Sequence, residues 1–371
     1  MSDVLIVGAG IVGLSTAYWL VKAGHSVTIV EQGPIPNPHA ASADHHRLIR
    51  YAYDQAEGYC ARIAQAFAAW RDMWADLPGE EAQYYADTGM LCVSQHEGDY
   101  TERSMAVMAR LGIPFERIEG ADLAERFPFL APANHAYATL SEGGALMAAR
   151  IMVDLADWLR RAGAGVLEHM PVAAVDADAG TVRLADGRTL SADRIVVSAG
   201  IATAGLLPEM ALPLVAHRTV IVYADPPEDL APLYANAPCW NALGGDVDLW
   251  GMPSIAGLPM KLGNGNMGFQ DSDAQNRMMS EAELKRMLSD YALRFKGAER
   301  FRIRWHQANY WTAAPDHEFH LAETGRLLAV SACSGHGFKF GALSGRDVAE
   351  AIATPENIDL VRTRMQGRET I

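Results

Sequence analysis

The 371 residues, half of them hydrophobic, are too many for one ordinary core, so we predict two domains or one elaborated domain. The net charge of −14, from 31 basic and 45 acidic residues, argues against nucleic acid or an anionic membrane surface as a partner. The four cysteines are scattered, with no CxxC pair and no metal-ligand spacing, so we expect no metal site and a reduced, cytoplasmic protein.

Residues 3–32 have the pattern of a dinucleotide-binding unit. An apolar run of strand length is followed by a GxGxxG motif, a stretch with helical spacing, and the second predicted strand Ser26–Val30. In this motif the glycines permit a tight turn, the approach of a pyrophosphate and close packing of the helix; they are Gly8, Gly10 and Gly13. Glu31 then ends the second strand, where a carboxylate accepts hydrogen bonds from an adenosine ribose. Its charge disfavours a 2′-phosphate, so NADP is not expected.

The same segment allows two other interpretations. Residues 4–21 form an uncharged, mostly apolar run close to the length of a membrane span, but the glycines at turn spacing and the flanking charges argue against an anchor. The first three residues lack the basic character of a signal peptide, and no small-residue cleavage site follows the run. Dinucleotide binding is therefore the favoured prediction.

Residues 44–53 concentrate polar side chains, with two histidines, two arginines and two tyrosines in ten positions. Arg47 and Arg50, three residues apart, are expected to share one face of a helical turn, where neighbouring cations are unfavourable unless an anion lies near them. The residues alone leave open whether this segment is a solvated loop or an anion site.

Farther along the chain, predicted helices and strands follow one another irregularly. Apolar residues at helical spacing predict helices at 57–77, 102–110, 122–127, 147–161, 281–296 and 342–353. Strands are predicted at 88–94, 165–170, 172–176, 192–198, 300–305 and 326–331, with a hairpin at 181–190 and half-exposed antiparallel strands within 212–223 and 249–267. Residues 354–371 are predicted to be a polar tail. Because hairpins interrupt the βα alternation, we expect a nucleotide-binding domain with insertions.

Several longer motifs make a resemblance specific. They are VGAGIVGLSTAYWL near the start, HHRLIRYAY at 45–53, RIVVSAG at 194–200, WGMPSIAGLPMKLG at 250–263, PDHEF at 315–319 and SGHGFKFG at 334–341. On these motifs the chain resembles the FAD-dependent amine and amino-acid oxidases related to D-amino-acid oxidase, and most closely the branch of monomeric sarcosine oxidase and N-methyltryptophan oxidase.

The resemblance implies an α/β fold of mixed α+β character. A discontinuous Rossmann-like FAD-binding domain of residues 1–86, 144–213 and 318–371 is expected to carry an inserted substrate domain. That substrate domain, residues 87–143 and 214–317, would contain an antiparallel sheet covering the flavin ring. The protein is expected to be a monomer or a small homo-oligomer.

The resemblance also places the FAD contacts. Glu31 and its neighbour match ribose contacts, Val172 matches a backbone contact to adenine, and residues 334–341 would direct backbone N–H groups at the pyrimidine end of the flavin. The full predicted set for FAD is Gly8, Gly10, Val12, Gly13, Glu31, Gln32, Arg47, Val172, Ser198, Gly200, Gly335, Gly337, Phe338 and Lys339.

Five residues match catalytic positions of the family. Arg50 falls on an arginine that pairs with the substrate carboxylate, and Lys339 on a lysine that shares it; together they would fix the substrate's α-carbon against the flavin. Lys261 matches a lysine that activates dioxygen, although a lysine at a strand end can also simply face water. Arg47 would lie close to the flavin ring, and His336, like His45, would tune the pocket.

Three departures from the family pattern change the expectations. Asn309 occupies the position of the cysteine that carries the flavin covalently in the closest relatives, so we predict noncovalent FAD. The loop SADHHR is one residue shorter than its counterpart, and Gly265 stands where the relatives have a histidine. Both of these changes line the expected substrate pocket, so the substrate need not be sarcosine.

The resemblance implies oxidation of a secondary, N-substituted amino acid to an imine, which hydrolyses to an amine and an aldehyde or oxo acid, while O2 becomes H2O2. A hydride would leave the α-carbon of an unprotonated amine. Three further basic groups, Arg218, Arg304 and His306, allow a second substrate carboxylate, as in iminodiacetate. Two alternatives stay open: a dehydrogenase that passes electrons to another acceptor, and a non-catalytic FAD-binding protein, against which Arg50, Lys261 and Lys339 argue.

Overall fold

The computed structural model describes residues 1–133, 135–245, 247–271 and 273–369. Over these ranges the strands, β1 to β21 in chain order, are Asp3–Val7, Ser26–Val30, Arg47–Arg50, Tyr85–Asp87, Met90–Ser94, Phe115–Glu119, Tyr137–Ser141, Gly143–Leu146, Gly165–Leu167, Val172–Asp176, Thr181–Leu184, Thr189–Ser191, Arg194–Val197, Val215–Asp225, Cys239–Asn241, Leu249–Met252, Met260–Asn264, Phe269–Gln270, Arg302–Ala313, His320–Thr324 and Leu327–Ser331. The helices, α1 to α10, are Ile11–Lys22, Glu57–Trp74, Tyr100–Arg110, Leu123–Arg126, Ala148–Arg161, Thr203–Leu206, Ala231–Tyr234, Glu281–Ala292, Gly341–Ala353 and Ile358–Met365.

A mixed, mainly parallel sheet with the strand order β20-β21-β13-β1-β2-β9 carries the N-terminal motif. Its central strand β1 pairs in parallel with both β2 and β13, and its apolar residues are almost fully buried. Such continuous apolar runs are typical of parallel strands covered on both faces. Helix α1 packs beside α9 and α5 in one core with β1 and β2. This arrangement places the glycine turn at the carboxyl end of β1, where α/β sheets bind nucleotides.

A second, largely antiparallel sheet has the order β18-β14-β17-β16-β15-β5-β7-β6, and β19 pairs with the other edge of β14. Strands β14 and β19 are paired along nearly their whole length, from Val215 opposite Ala313 to Asp225 opposite Arg302. On the other side of β14, Tyr223 lies opposite Lys261 of β17. The predicted fold class, a Rossmann-like domain combined with an antiparallel sheet, is confirmed, and the boundaries proposed for the domains stay a prediction.

Three local predictions were wrong. Residues 47–50 form strand β3, paired with β8, instead of a helical turn. The strand predicted at 300–305 continues to Ala313, because its long antiparallel partner β14 supplies hydrogen bonds that no local pattern reveals. Part of the predicted polar tail is helix α10, whose Val361 and Met365 are buried against the first sheet's core; residues 370 and 371 lie outside the described ranges.

The apolar N-terminal run divides into a strand and a helix. Residues 4–7 belong to β1, and α1 begins at Ile11, after the glycine turn. In the part of the chain that the structure describes, no helix has the length and apolar character needed to cross a bilayer.

Candidate active site

One cavity of about 930 Å³ connects the two sheets. On one side it is lined by residues at the carboxyl ends of β1, β2, β13 and β21, and on the other by residues of β14, β16, β17 and β19. Its size is at the upper end of the range for ligand pockets. Every residue predicted for the site lines it except Gly13; these are Gly8, Gly10, Val12, Glu31, Gln32, Arg47, Arg50, Val172, Ser198, Gly200, Lys261, Gly335, His336, Gly337, Phe338 and Lys339.

The glycine turn forms one end of this cavity. Gly8 has a φ of +100°, a backbone conformation that L side chains rarely adopt. A Cβ at Gly13 would lie 2.0 Å from the carbonyl oxygen of Gly8, so only glycine allows α1 to start this close to β1. Gly13 therefore acts through packing and does not line the cavity itself, as the third glycine of the motif should.

Glu31 is held at the same end by three donors of the protein. One carboxylate oxygen accepts a hydrogen bond from the backbone N–H of Ala9 at 2.9 Å, and the other accepts from Asn37 Nδ2 at 2.8 Å and from the N–H of Gly33 at 3.2 Å. Each carboxylate oxygen has two lone pairs, so the first retains acceptor capacity for a ribose hydroxyl. The bonds fix the orientation in which that oxygen is presented.

Lys261 lies at the centre of a buried charged cluster in the middle of the cavity. Its Nζ forms an ion pair with Asp44 and donates to the carbonyl oxygen of His46 at 3.0 Å. The side chains of Lys261 and Asp44 are each 1% exposed. Arg47 pairs with the same carboxylate, and the hydroxyl of Tyr223 donates a hydrogen bond to it. One carboxylate thus serves two cations, which leaves a net positive charge at this point.

The cluster shifts the proton equilibria of its members. Burial lowers the pKa of Lys261 to about 8, against the attraction of Asp44. Burial alone would raise the pKa of the Asp44 carboxyl, but the charges of Lys261 and Arg47 outweigh it and lower that pKa. Burial also lowers the pKa of His46 to about 3, so that imidazole stays neutral. At neutral pH, Lys261 is consequently charged, and Asp44 is the group that keeps it so.

If Lys261 assists the reaction with O2, as the resemblance implies, these shifts predict a pH dependence of that reaction. The charge of Lys261 is present below pH of about 8 and is lost as the pH rises through that value, so the rate constant for reoxidation by O2 should fall above it. In Asp44→Asn, the pKa of Lys261 should drop further, and the fall should move to lower pH. Stopped-flow reoxidation of the reduced holoenzyme from pH 6 to 10 measures both profiles. Tyr223→Phe, which removes a hydrogen bond from Asp44 but no charge, is the matched control; an unshifted profile in Asp44→Asn would contradict this reasoning.

Arg50 and Lys339 form a second cationic site, apart from the first. Successive residues of a strand alternate faces, so Arg47 and Arg50 of β3 point to opposite sides and do not share a face as predicted. The guanidinium of Arg50 lies 4.7 Å from the ring centre of Tyr53, and Lys339 Nζ lies 5.1 Å from the same ring. Arg50 also donates to the hydroxyl of Tyr100 at 2.9 Å. The structure therefore brings the two predicted carboxylate partners together on one tyrosine.

This pair of cations lacks a counter-ion. Among the described residues, no acidic side chain forms an ion pair with either one. Burial, followed by the charge of Arg50, lowers the pKa of Lys339 well below its usual value. An anion placed between the two would stabilise both charges, so the site suits a carboxylate.

His336 lies beside this cationic site and is held as a neutral ring. Its Nδ1 shares a hydrogen bond with the hydroxyl of Tyr53 at 3.2 Å, and Nε2 lies 3.3 Å from the carbonyl oxygen of His317. Burial, with a contribution from Lys339, lowers the pKa of His336 to about 3. His336 can orient Tyr53 but does not carry a charge at neutral pH. His45, by contrast, packs edge-on against Tyr223 and Trp305 and is not part of the cavity wall.

Two residues relevant to flavin attachment line the cavity. Asn309 lies on β19, where its Oδ1 accepts a hydrogen bond from Gln307 Nε2 at 3.3 Å. Cys333 follows β21, and burial raises the pKa of its thiol, which disfavours the reactive thiolate. An amide at position 309 has no nucleophilic sulfur to offer.

The basic groups that suggested a second substrate carboxylate lie elsewhere. Arg218 is buried in an ion pair with Glu283 at 2.5 Å, and Arg304 pairs with Asp225 at 2.9 Å on the surface. Neither they nor His306 belong to the residues that line the cavity, whereas Arg277 does. For Arg218 the strand position explains this result, because side chains alternate along β14 and the lining residues Thr219 and Ile221 lie on the other face.

Among the polar residues of the cavity wall that sequence reasoning missed are Asp44, Tyr53, Tyr100 and Asp248. Asp44 and Tyr53 lie within the polar segment already singled out, and a buried lysine requires a counter-ion, so Asp44 could have been proposed as its partner. Tyr100 begins helix α3 and Asp248 precedes β16; no local pattern connects either of them to Arg50.

Comparison with known proteins agrees with this geometry. Residues 3–351 match the family model described as FAD dependent oxidoreductase. The chain belongs to this family. It is 26% identical to monomeric sarcosine oxidase of Bacillus sp. (strain NS-129) over 368 residues, covering 95% of this chain and 93% of that enzyme. It is 27% identical to N-methyl-L-tryptophan oxidase of Yersinia pestis over 373 residues, covering 96% and 97% respectively.

Solved structures show the same fold. NikD, an amino acid oxidase essential for nikkomycin biosynthesis, has a TM-score of 0.80 at 20% identity over 95% of this chain and 94% of its own. The L-proline dehydrogenase of P. horikoshii has a TM-score of 0.83 at 17% identity over 99% and 97%. The predicted family, FAD as cofactor and an oxidoreductase activity are confirmed. The residues present fit FAD, since the space above Gly8 and Gly13 admits no side chain and the cavity runs from there to Lys339.

Proposed function

We propose that this flavoprotein oxidises a secondary, N-substituted amino acid to an imine, which water hydrolyses to an amine and an aldehyde or oxo acid, while O2 is reduced to H2O2. The observation that carries the proposal is the pair of unneutralised cations, Arg50 and Lys339, in the same cavity as the buried ion pair of Lys261. The names of the two relatives, a sarcosine oxidase and an N-methyl-L-tryptophan oxidase, support an N-methyl amino acid as the starting point of the substrate search.

Bound FAD would supply the hydride acceptor and pass the electrons on to O2. The protein's own residues do the rest. Arg50 and Lys339 would hold the substrate carboxylate from two sides, which fixes the adjacent carbon and nitrogen. Tyr100 and Tyr53 keep the guanidinium in place, since one accepts its hydrogen bond and the other presents its ring face. If the substrate amine binds unprotonated, the reaction needs no general base, and His336 can remain neutral throughout.

Lys261 would act on the oxygen step. A fixed positive charge in a site closed to water stabilises the negative charge that grows on O2 as it is reduced. Asp44 keeps the lysine charged. Because Arg47 pairs with the same carboxylate, the negative charge of Asp44 does not cancel the positive charge of Lys261. A dehydrogenase that uses another electron acceptor is the second candidate. The resemblance of the fold to an L-proline dehydrogenase is the observation that supports it.

An anaerobic substrate panel tests the proposal. Holoenzyme is mixed with sarcosine, N-methyl amino acids of different side chains, iminodiacetate and the matching primary amino acids, and loss of the flavin absorbance band is followed. We expect at least one secondary amino acid to bleach the flavin faster than its primary counterpart. If no member bleaches it, the proposal is wrong.

The choice between the two electron acceptors has its own measurement. Under air, each turnover of an oxidase forms one equivalent of H2O2, which a peroxidase-coupled assay quantifies. An enzyme that bleaches with substrate but recovers only with an artificial electron acceptor would be a dehydrogenase instead.

We predict noncovalent FAD from Asn309. Acid precipitation of the holoenzyme should release the yellow cofactor into the supernatant and leave a colourless pellet, because no cysteine occupies the position used for attachment. Fluorescence of the supernatant before and after phosphodiesterase treatment identifies FAD. A yellow pellet would show a covalent bond, and the same assay on Cys333→Ser would then test the other candidate in the cavity wall.

A further inference from the structure

Asp248 is a carboxylate of the cavity wall that the mechanism above does not use. It directly precedes β16, is exposed, and lines the cavity together with Val247, Gly245 and Asn266. Unlike Asp44, it forms no hydrogen bond or ion pair through its side chain within the described ranges, although its charge and that of Arg50 act on each other. An unpaired carboxylate facing a ligand cavity is available to a ligand.

Gly265 is the reason that Asp248 can take this position. A Cβ at residue 265 would lie 1.8 Å from Oδ2 of Asp248, so any larger residue there would displace the carboxylate. The two positions act as a unit, since β16 and β17 are paired antiparallel and the backbone N–H of Gly265 donates to the carbonyl oxygen of Asp248 at 2.8 Å. Because Gly265 has no side chain, this chain presents a negative charge at this point of the cavity wall.

The cavity consequently has opposite charges at two places. Arg50 and Lys339 form the positive end, and Asp248 is the negative group that acts on Arg50 without contacting it. Burial raises the pKa of the Asp248 carboxyl, and Arg50 opposes that rise, so the carboxylate gains from a cationic partner. Arg277 is a further charged residue of the cavity wall, and its guanidinium lies 5.1 Å from the ring centre of Tyr310.

We propose that Asp248 determines substrate specificity by binding a positively charged group, an amine or a guanidine, carried on the side chain of the amino acid. Arg50 and Lys339 hold the substrate carboxylate at the same time, so this inference rests on the proposed function. The substrate would then be a basic N-substituted amino acid, and iminodiacetate would be disfavoured by its second carboxylate.

The chemistry favours a cation at Asp248 on two grounds. A hydrogen bond between two charged groups is about twice as strong as one between neutral groups. A neutral substrate of equal length would leave the carboxylate without a partner. The preference is expected to be about 10- to 100-fold in kcat/KM, the range for a charge pair at a partly exposed site.

The test compares three side chains of similar length on the same N-methyl amino acid: lysine, norleucine and glutamate. For the holoenzyme, we expect kcat/KM to follow the order lysine, norleucine, glutamate, with the difference mainly in KM. In Asp248→Asn, which keeps the shape and removes the charge, the ratio of the lysine to the norleucine derivative should fall about 10- to 100-fold. Asp248→Ser repeats the measurement with a smaller side chain, in case the asparagine variant does not retain FAD.

The possible results separate the two proposals. If the norleucine derivative is oxidised but the lysine derivative has no advantage, the inference about Asp248 is wrong and the proposed function stands. The same holds if the glutamate derivative is preferred, and that result would indicate that Arg277 binds the substrate side chain. An equal fall for all three derivatives in Asp248→Asn, with a shifted pH profile of kcat, would place Asp248 at the reacting amine and overturn the specificity role. If none of the three bleaches the flavin of the wild-type enzyme, the inference about Asp248 is wrong, and the proposed function is decided by sarcosine and the other members of the substrate panel.

Discussion

Lys261→Met is expected to slow reoxidation of the reduced enzyme by O2 by about 10²- to 10³-fold, the usual cost of removing one fixed charge or donor from a preorganised site. The lysine is fully buried beside Asp44, so no water can replace its charge. Its effect on reduction of the flavin by substrate should be much smaller, because Arg50 and Lys339 occupy the other part of the cavity. Stopped-flow spectroscopy separates the two half-reactions.

Controls for this substitution follow from the ion pair. Removal of Lys261 alone leaves Asp44 buried with Arg47 as its remaining cationic partner, which perturbs the site beyond the loss of one charge. The double variant Lys261→Met with Asp44→Asn removes both charges, and Lys261→Arg retains the positive one. We expect the double variant to be as slow with O2 as the single one and the arginine variant to be faster. Reoxidation at the wild-type rate in Lys261→Met would mean that O2 reacts at another part of the flavin.

Arg50→Met is expected to lower kcat/KM for the amino acid by about 10²- to 10³-fold, because it removes the half-buried guanidinium that we propose to bind the substrate carboxylate. Lys339→Met should also lower kcat/KM, but less, since an ammonium is a single point charge and its pKa is already lowered by burial and by Arg50. Anaerobic reduction at several substrate concentrations gives the binding constant and the rate constant of hydride transfer for each variant.

A substrate without a carboxylate supplies the control. For a simple N-methyl amine with the same side chain, the wild-type enzyme and Arg50→Met should have similar kcat/KM values, because this substrate has no carboxylate for Arg50 to bind. Tyr100→Phe is the control for the position of the Arg50 guanidinium, because it removes only the hydroxyl that accepts a hydrogen bond from Arg50. If Arg50→Met lowers kcat/KM for the amine as strongly as for the amino acid, then Arg50 acts on the reacting centre or on FAD binding and not on the carboxylate.

The N-terminal unit shows what local patterns are able to predict. The strand, the glycine turn, helix α1 and the second strand are set by residues within thirty positions of one another, and the structure has all four. The long motifs extended this prediction to the family and to FAD. The residues that they predicted for the site line the cavity, except Gly13, and the roles of these residues stay predictions.

The segment 44–53 shows where that reasoning fails. Arg47 and Arg50 were assigned to one face of a helical turn, but pairing with β8 makes the segment a strand and sends them to opposite sides. The cationic pair that forms instead, Arg50 with Lys339, joins residues almost three hundred positions apart. No periodicity can reveal such a pair, because it depends on which strands become neighbours.

By itself, the sequence determined the nucleotide-binding unit, the family and the chemical types of the site residues, because these depend on local spacing and on motifs. Only the tertiary structure decided how the charges combine: Asp44 with Lys261 and Arg47, Arg50 with Lys339, and Asp248 unpaired beside Gly265. The physical reason is that the energy of a charge depends on its burial and on neighbours within a few ångströms. Those neighbours come from distant parts of the chain and meet only when the two sheets enclose the cavity.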